Sequence, residues 1–248
     1  MSAAARSLSS ELRPNRIPMG IVSLDRLIEG GLQKGDTIIV AGQPGTGKTT
    51  LGLQFLHHGA TVLSESGIYA SLIESAAKLK RNAKRFGWDF DRLESQKLVQ
   101  ILELQTTLQE GINETLQAVL SSLRDLRAQR LVFDSLSALM MAFETSGEAR
   151  SFLHLVLKFL EATRCTSLLL SEVPWGAKRV GTGIEEFLGD GLIVLEANFD
   201  GFRVHRKIYI AKMRGTEHRL EGYEYYISRD GFNLVPVPIS SDVQNVPK

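Results

Sequence analysis

Residues 42–49 carry the clearest chemical signal in the sequence. They read Gly-Gln-Pro-Gly-Thr-Gly-Lys-Thr and fit the pattern G-x-x-x-x-G-K-[ST], whose glycines let successive backbone N–H groups point at phosphate oxygens. In such a loop Lys48 would contact the β- and γ-phosphates, and the Thr49 hydroxyl would bind Mg²⁺. The segment therefore predicts a nucleoside-triphosphate site. The candidate phosphate-binding residues are Gly42, Gln43, Pro44, Gly45, Thr46, Gly47, Lys48, Thr49 and Thr50.

Asp134 is the second candidate metal ligand. It follows the apolar residues Leu131, Val132 and Phe133, so it would end a buried strand. A P-loop site needs an acidic side chain near the magnesium ion, and an aspartate at a strand end is the usual donor. We therefore predict that Asp134 and Thr49 hold the metal together.

The segments around these residues predict the elements that position them. A β-branched run at 37–41 leads into the glycine-rich loop, and a helical pattern at 49–58 leaves it. Other runs typical of buried strands lie at 68–72, 99–102, 131–134 and 167–170, and helical patterns lie at 75–86, 108–129 and 148–163. After Gly189, runs spaced like antiparallel strands follow at 192–197, 207–212 and 223–228. This order predicts an α/β fold with a doubly wound, mainly parallel sheet and a C-terminal antiparallel extension.

One P-loop and no internal repeat indicate a single domain. We expect a flexible N-terminal lead at 1–15, one domain at 16–239 and a loose, polar C-terminal tail at 240–248. The 248 residues are 43% hydrophobic and 23% charged, which is ordinary usage for a globular protein with a sizeable core.

The charge balance and the cysteine count exclude several classes of function. The formal net charge is +1, so no overall field attracts nucleic acid, whose non-specific binding needs many Lys and Arg contacts to phosphate. Cys165 is the single cysteine, which excludes an internal disulfide and any site with several cysteine ligands. No apolar run approaches the roughly 20 residues that span a bilayer, and the start lacks a signal-peptide pattern. We expect a cytoplasmic protein that binds neither membrane nor nucleic acid.

Several separated motifs, taken in order, resemble the KaiC family of RecA-like ATPases. They include Ile-Pro-Met-Gly-Ile at 17–21, the glycine and lysine residues of 30–36, the P-loop and Phe-Gly-Trp-Asp at 86–89. Asp134 with Ser135, Glu-Glu-Phe-Leu-Gly-Asp at 185–190 and Lys-Met-Arg-Gly-Thr-Glu-His at 212–218 complete the set. The likeness extends over about 17–235, nearly the whole of the predicted domain.

The resemblance implies a RecA-like fold, ATP and Mg²⁺ as cofactors, and a homo-oligomeric ring, usually a hexamer, with nucleotide between neighbouring subunits. In the family the segment that matches 212–218 reaches the adjacent subunit's nucleotide, which maps onto Lys212, Arg214 and His218. An arginine supplied by a neighbour stabilises the spread negative charge of a transferring phosphoryl group. The choice of ATP over GTP follows from the resemblance and from the lack of a GTPase base-reading motif.

The sequence departs from the family where the attacking water should be held. Relatives usually carry two glutamates after the second strand, and the first is thought to orient the water. Here Ile73 takes the first place and Glu74 the second. Isoleucine cannot bind a water, so hydrolysis would be slow or absent unless Glu74 or another carboxylate serves; Glu74 could equally cap the next helix. Glu186 and Phe187 replace the phosphorylatable pair of clock members, so self-phosphorylation there is not expected.

Three hypotheses about function follow. The first is a Mg·ATP-dependent ATPase that forms a ring and acts in signalling or regulation, with Lys48, Glu74, Lys212 and Arg214 in catalytic roles and a protein partner yet to be identified. The second is a nucleotide-sensing switch that scarcely hydrolyses ATP, which Ile73 favours. The third is an accessory ATPase of DNA recombination, which the near-zero net charge does not favour.

The basic stretch of the 75–86 helix leaves two interpretations open. It can dock a partner or line a ring channel, or it can be a solvated helix face. The residues concerned are Lys78, Lys80, Arg81, Lys84 and Arg85.

Overall fold

Parallel strands form the larger part of one large sheet, up to one of its edges, and antiparallel strands extend it on the other side. The computed structural model describes residues 15–104, 110–176 and 189–235. The strands are β1 (Arg16–Ile17), β2 (Leu32–Gln33), β3 (Thr37–Gly42), β4 (Gly67–Ser71), β5 (Val99–Glu103), β6 (Arg130–Asp134), β7 (Thr166–Glu172), β8 (Gly191–Asp200), β9 (Arg203–Met213), β10 (Tyr223–Ser228) and β11 (Gly231–Leu234). The helices are α1 (Val22–Leu27), α2 (Lys48–Val62), α3 (Ala76–Lys84), α4 (Phe90–Ser95), α5 (Glu110–Leu126), α6 (Leu136–Met140) and α7 (Ser146–Thr163).

The main sheet has the order β5-β4-β6-β7-β3-β8-β9-β10-β11, and β1 pairs with β2 apart from it. The strands from β5 to β8 in that order are parallel, and β9, β10 and β11 join antiparallel. The predicted fold class is therefore confirmed. All the strands predicted between 37 and 228 are present, with β8 and β9 longer than expected. The prediction that 192–197 belongs to the antiparallel extension is wrong, because β8 is parallel to β3 and antiparallel only to β9. The short elements β1, β2, α1, α4 and α6 and the final strand β11 were not predicted.

Both faces of the parallel strands are covered, which explains their continuous apolar sequences. Along β3, Ile38 and Val40 pack into one hydrophobic cluster with residues of α2. Ile39 and Ala41 point the other way, into a second cluster with residues of α5 and α7. Among the described residues no helix is both long enough and apolar enough to cross a membrane.

Helix α7 begins with a capping box, which explains why it starts before the predicted residue. The Thr145 side chain accepts a hydrogen bond from the Glu148 N–H, and the Glu148 carboxylate accepts one from the Thr145 N–H. Two otherwise unpaired N–H groups are satisfied in this way. The predicted start at Glu148 lies two residues inside the helix.

Arg130, at the start of β6, is a fully buried cation that contacts three other parts of the chain. Its Nε donates to Glu65 Oε2 at 2.7 Å, and one terminal nitrogen donates to the carbonyls of Pro18 (2.8 Å) and Phe55 (2.9 Å). The guanidinium carbon also lies 4.4 Å from the centre of the Phe55 ring. The strand, helix α2 and the segment before α1 are therefore held by one side chain.

We expect Arg130→Ala to lower the free energy of unfolding by about 3–5 kcal/mol, because it leaves the Glu65 carboxylate without its buried partner. Urea denaturation followed by circular dichroism measures the change. Arg150→Ala, on an exposed part of α7, is the matched control and should cost less than about 0.5 kcal/mol. Equal losses in the two variants would contradict this account of Arg130.

Candidate functional site

The register of the parallel strands brings the predicted site residues to one edge of the sheet. Gly42, the last residue of β3, is paired with Glu172 on β7, and Ser71 on β4 is paired with Asp134 on β6. The carboxyl ends of these strands therefore meet at the same edge as the glycine-rich loop. In open α/β sheets this edge is where ligands bind.

The glycine-rich loop has a backbone that only glycine adopts easily. Gly45 and Gly47 have φ values of 81° and 94°, in the left-handed region that a side chain disfavours. Gly47 precedes α2, and no side chain caps this helix start. The free N–H groups of the first turn and the positive end of the helix dipole are thus available to an anion.

Two contacts from the C-terminal strands β8 and β10 hold the loop in place. The Tyr225 hydroxyl, on β10, donates to the Thr46 carbonyl at 2.6 Å, and the Thr46 side chain donates to the Gln43 carbonyl at 2.7 Å. The Gln43 side chain accepts a hydrogen bond from the Ala197 N–H at 3.0 Å. Pro44 is exposed, and Thr50 lies half-buried in the first turn of α2.

The Lys48 ammonium folds over the loop. It donates to the carbonyls of Gly42 at 2.8 Å and Gln43 at 3.2 Å. Burial lowers the pKa of Lys48, while the carboxylates of Glu172 and Asp134 act in the opposite direction. A phosphate group would supply the charge that two neutral carbonyls lack, so the ammonium is placed to bind an anion.

Asp134 connects the sheet to the P-loop helix through one carboxylate oxygen. Oδ2 accepts a hydrogen bond from the Tyr69 hydroxyl at 2.6 Å and another from the Thr49 hydroxyl at 3.2 Å. Burial raises the pKa of Asp134, and the two hydrogen bonds and the charge of Lys48 oppose that rise. Burial, with the nearby Asp134 charge, raises the pKa of Tyr69 well above its usual range, so the phenol keeps its proton.

The donor set at this point suits magnesium. Thr49 and Asp134 offer a hydroxyl and a carboxylate, and Mg²⁺ prefers oxygen ligands, with substrate phosphates and water completing its shell. Both side chains lie next to the loop that would hold the phosphates. The residues therefore fit the metal that the sequence predicts.

One carboxylate oxygen of Glu74 has no hydrogen-bond partner among the described residues. Its Oε1 pairs with Lys78 at 3.0 Å, whereas Oε2 is buried and accepts no hydrogen bond from the described part of the chain. The interpretation of Glu74 as a helix cap is wrong, because the Ser75 side chain caps α3 by accepting from the Lys78 N–H. Ile73 is 55% exposed and offers no polar group.

Lys212, Arg214 and His218 lie at the opposite edge of the sheet. Lys212 donates to the Gly189 carbonyl, and the Arg214 N–H donates to the Asp190 carbonyl. Asp190 is in turn bonded to Thr37, the first residue of β3. Arg214 is therefore separated from the P-loop of its own chain by the length of β3, about 16 Å at the usual rise of a strand.

The end of this segment is fastened to the body of the protein. Gln33 donates to the carbonyls of Arg214 (3.1 Å) and Gly215 (2.8 Å), and Arg16 donates to the Thr216 hydroxyl at 2.7 Å. His218 Nδ1 is 3.0 Å from the Thr216 carbonyl. These contacts hold the segment away from the chain's own nucleotide edge. The motif residues 185–188 lie outside the described residues.

Tyr69 and Tyr225 are site residues that the sequence did not reveal. Each occurs in a run that reads as an ordinary strand, and each places a hydroxyl on another element through pairing that the sequence does not specify. The one available signal was the two-residue periodicity of strands, which puts Tyr69 and Ser71 on the same face of β4.

The basic stretch of α3 is largely neutralised by its neighbours. Lys80 pairs with Asp91 and Glu94, and Lys84 also pairs with Asp91. Lys78 forms an ion pair with Glu74. These contacts support the interpretation of a solvated helix face.

Comparison with known proteins gives consistent results. A model of the KaiC ATPase family matches residues 17–238. The circadian clock oscillator protein KaiC of Nostoc sp. (strain PCC 7120) is 30% identical over 226 residues, which cover 88% of this chain and 43% of that protein. The chain thus spans less than half the length of the clock proteins that it matches.

Relatives of similar length also occur. The UPF0273 protein PF1931 of Pyrococcus furiosus is 29% identical over 236 residues, covering 89% of this chain and 94% of that protein. Among solved structures, the KaiC-like protein PH0186 from Pyrococcus horikoshii OT3 superposes with a TM-score of 0.80. It is 33% identical, and the match covers 89% of this chain and 99% of that one.

We expect Tyr225→Phe to weaken nucleotide binding, because it frees the Thr46 carbonyl and with it the loop. One hydrogen bond contributes about 0.5–1.5 kcal/mol, which corresponds to a rise in the dissociation constant of about 2- to 12-fold. Fluorescence anisotropy with methylanthraniloyl-ATP measures it. The exposed neighbour supplies the control: Tyr226→Phe should bind like the wild type. Indistinguishable affinities for all three proteins would contradict the role given to Tyr225.

Proposed function

Because this chain belongs to the KaiC family of ATPases, we propose that it binds Mg·ATP at residues 42–49 and hydrolyses it slowly within a homo-hexameric ring. The observation that carries this proposal is the meeting of Lys48, Thr49 and Asp134 at one sheet edge. Glu74 lies near enough to Asp134 to raise the pKa of that carboxyl. A cation, a metal-binding pair and a spare carboxylate are the groups that phosphoryl transfer to water requires.

Binding depends on the loop and the helix behind it. The N–H groups at the start of α2 and the Lys48 ammonium bind the phosphate oxygens, and Lys48 exchanges its two carbonyl partners for them. Thr49 and Asp134 would hold Mg²⁺, which would neutralise charge on the β- and γ-phosphates. The loop contacts phosphates and not the base, so the preference for ATP follows from the family.

Glu74 is the carboxylate that we assign to the attacking water. Its buried Oε2 has no hydrogen-bond donor among the residues that the structure describes, and a water molecule can supply one while its own oxygen faces the γ-phosphate. The ion pair of Oε1 with Lys78 holds the side chain and occupies one of its two oxygens, which leaves Oε2 for the water. We therefore expect hydrolysis to be present and slow.

Lys212, Arg214 and His218 act on the nucleotide of a neighbouring copy. Their place at the far edge excludes contact with the chain's own P-loop, whereas a head-to-tail arrangement sets this edge against the next subunit's loop. Arg214 would then stabilise the negative charge that spreads over the transferred phosphoryl group. The interface is of the heterologous type, which closes into a ring when the rotation per subunit allows it.

A second candidate is a nucleotide-sensing switch that binds ATP, changes its assembly and scarcely hydrolyses. The exposed Ile73, where relatives carry a glutamate, favours it. In either case we propose a regulatory or signalling role in the cytoplasm with a protein partner. The near-neutral charge does not favour a role on DNA.

Steady-state phosphate release from Mg·ATP separates the two candidates. We expect the wild type to exceed Lys48→Ala, which lacks the phosphate-binding ammonium and reports contaminating activity. Glu74→Gln should lose about 10²-fold or fall to that background, since general-base assistance is worth about 10² to 10⁴. Ile73→Glu should raise turnover.

The matched control is Glu103→Gln, on the neighbouring strand β5 in register with Ser71. Its carboxylate accepts from the Ala76 N–H at the start of α3, so turnover should not change. If the wild type releases phosphate no faster than Lys48→Ala while it still binds ATP, the ATPase candidate is contradicted. The nucleotide-sensing switch would then remain. Loss in Glu103→Gln as large as in Glu74→Gln would contradict the role of Glu74.

A further inference from the structure

Tyr69 is a buried polar residue that the proposed steps do not use. It lies in the middle of β4 and is 0% exposed. Its Cα is paired with that of Val132 on β6, and Asp134 stands two residues further along the same strand and on the same face. The Tyr69 side chain reaches across this two-residue offset, and its hydroxyl donates to Asp134 Oδ2 at 2.6 Å.

The ring is confined between the sheet and α2. A Cβ added at Gly52 of α2 would lie 3.4 Å from Tyr69 Cε2 and 2.8 Å from Val132 Cγ1. The ring therefore lies against α2 at Gly52, and it belongs to the same buried cluster as Leu51 and Phe55 of that helix. The packing of the ring thus holds the Tyr69 hydroxyl in position beside Asp134.

Tyr69 and Thr49 share one acceptor, Asp134 Oδ2. The phenol contact, at 2.6 Å, is shorter than the 3.2 Å contact of the Thr49 hydroxyl, and it has the length typical of a strong O–H donor on a carboxylate. Thr49 would hold a metal ion through a lone pair of its hydroxyl oxygen, and Asp134 would keep the phenol as its shorter hydrogen-bond donor. The phenol would thus fix the direction in which the carboxylate faces.

We propose that Tyr69 is a positioning residue for Mg²⁺ and that it acts through its hydrogen bond to Asp134. This inference rests on the proposed Mg·ATP site. Groups that hydrogen-bond to a metal ligand orient it, and their loss typically costs 10- to 100-fold in metal affinity or activity. Tyrosine suits this position because its ring fills the core while its hydroxyl reaches the carboxylate. A phenylalanine would fill the same space and remove the shorter of the two hydrogen bonds that orient the carboxylate.

The test is the Mg²⁺ dependence of methylanthraniloyl-ADP binding, which requires no hydrolysis. In Tyr69→Phe we expect the half-saturating Mg²⁺ concentration to rise about tenfold. The dissociation constant in EDTA should change less than about twofold, because the phosphate contacts of the P-loop are intact. Tyr223→Phe, whose hydroxyl donates to Glu221, should leave both values unchanged.

A role in packing alone predicts a different result. Tyr69→Phe would then lower the melting temperature without moving the Mg²⁺ midpoint, and that outcome overturns the proposal. A failure of the proposed function is distinguishable from this result. In that case the wild type itself would not bind the nucleotide, or would bind it with an affinity independent of Mg²⁺, and the proposal for Tyr69 would also be overturned.

A second measurement does not depend on the Tyr69→Phe variant folding. In the wild type labelled with [¹³Cζ]tyrosine, one resonance should shift when Mg²⁺ is added with ADP. The same resonance should move in Asp134→Asn without ligand. If no tyrosine signal responds to both changes, the hydroxyl of Tyr69 does not act on the metal site.

Discussion

The carboxylate of Asp134 is the point at which the sheet and the P-loop helix are joined, and the geometry of the site depends on it. One oxygen accepts from Tyr69 on β4 and from Thr49 at the start of α2, while the residue itself ends β6. Three elements that are far apart in sequence are thus fixed relative to each other within about one hydrogen-bond length. A buried carboxylate needs such donors, because burial alone would favour its neutral form.

The second constraint is the separation of two groups of charged residues by the length of a strand. The parallel direction of β3, β6 and β4 puts the P-loop and Asp134 at one edge. The antiparallel direction of β9 returns the chain to the other edge, where Arg214 bonds to Asp190. One copy of this fold can bind a nucleotide at its loop and cannot bring Arg214 to it. The proposed ring follows from this separation, since a neighbour can bring the two edges together.

Much of the fold could be predicted from the sequence because the strong signals are local. The strand at 37–41, the glycine loop and the following helix form a continuous pattern, and Asp134 ends an apolar run that predicts its own burial. The parallel order of the strands follows from their alternation with helices. Short elements such as α1 and β11 were missed because they lack the continuous apolar or β-branched runs that marked the equally short strands of the parallel sheet.

The long-range contacts could not be predicted. Arg130 reads as a surface charge at the start of a strand, yet it is fully buried against Glu65. The contact of Tyr69 depends on β4 lying beside β6, although β5 separates them in sequence. Strand order is decided by the packing of the whole chain, which one segment does not encode. For the same reason the sequence left Glu74 open between a helix cap and the carboxylate that serves the attacking water.

Mixing two inactive variants tests the central claim, that one copy's Arg214 serves its neighbour's P-loop. Lys48→Ala and Arg214→Ala should each lose phosphate release alone, and a 1:1 co-assembly should regain roughly a quarter of wild-type turnover. That fraction is expected because about one interface in four joins an intact loop to an intact arginine when subunits of a heterologous ring combine at random. Mixed assemblies no more active than the separate variants would contradict the account.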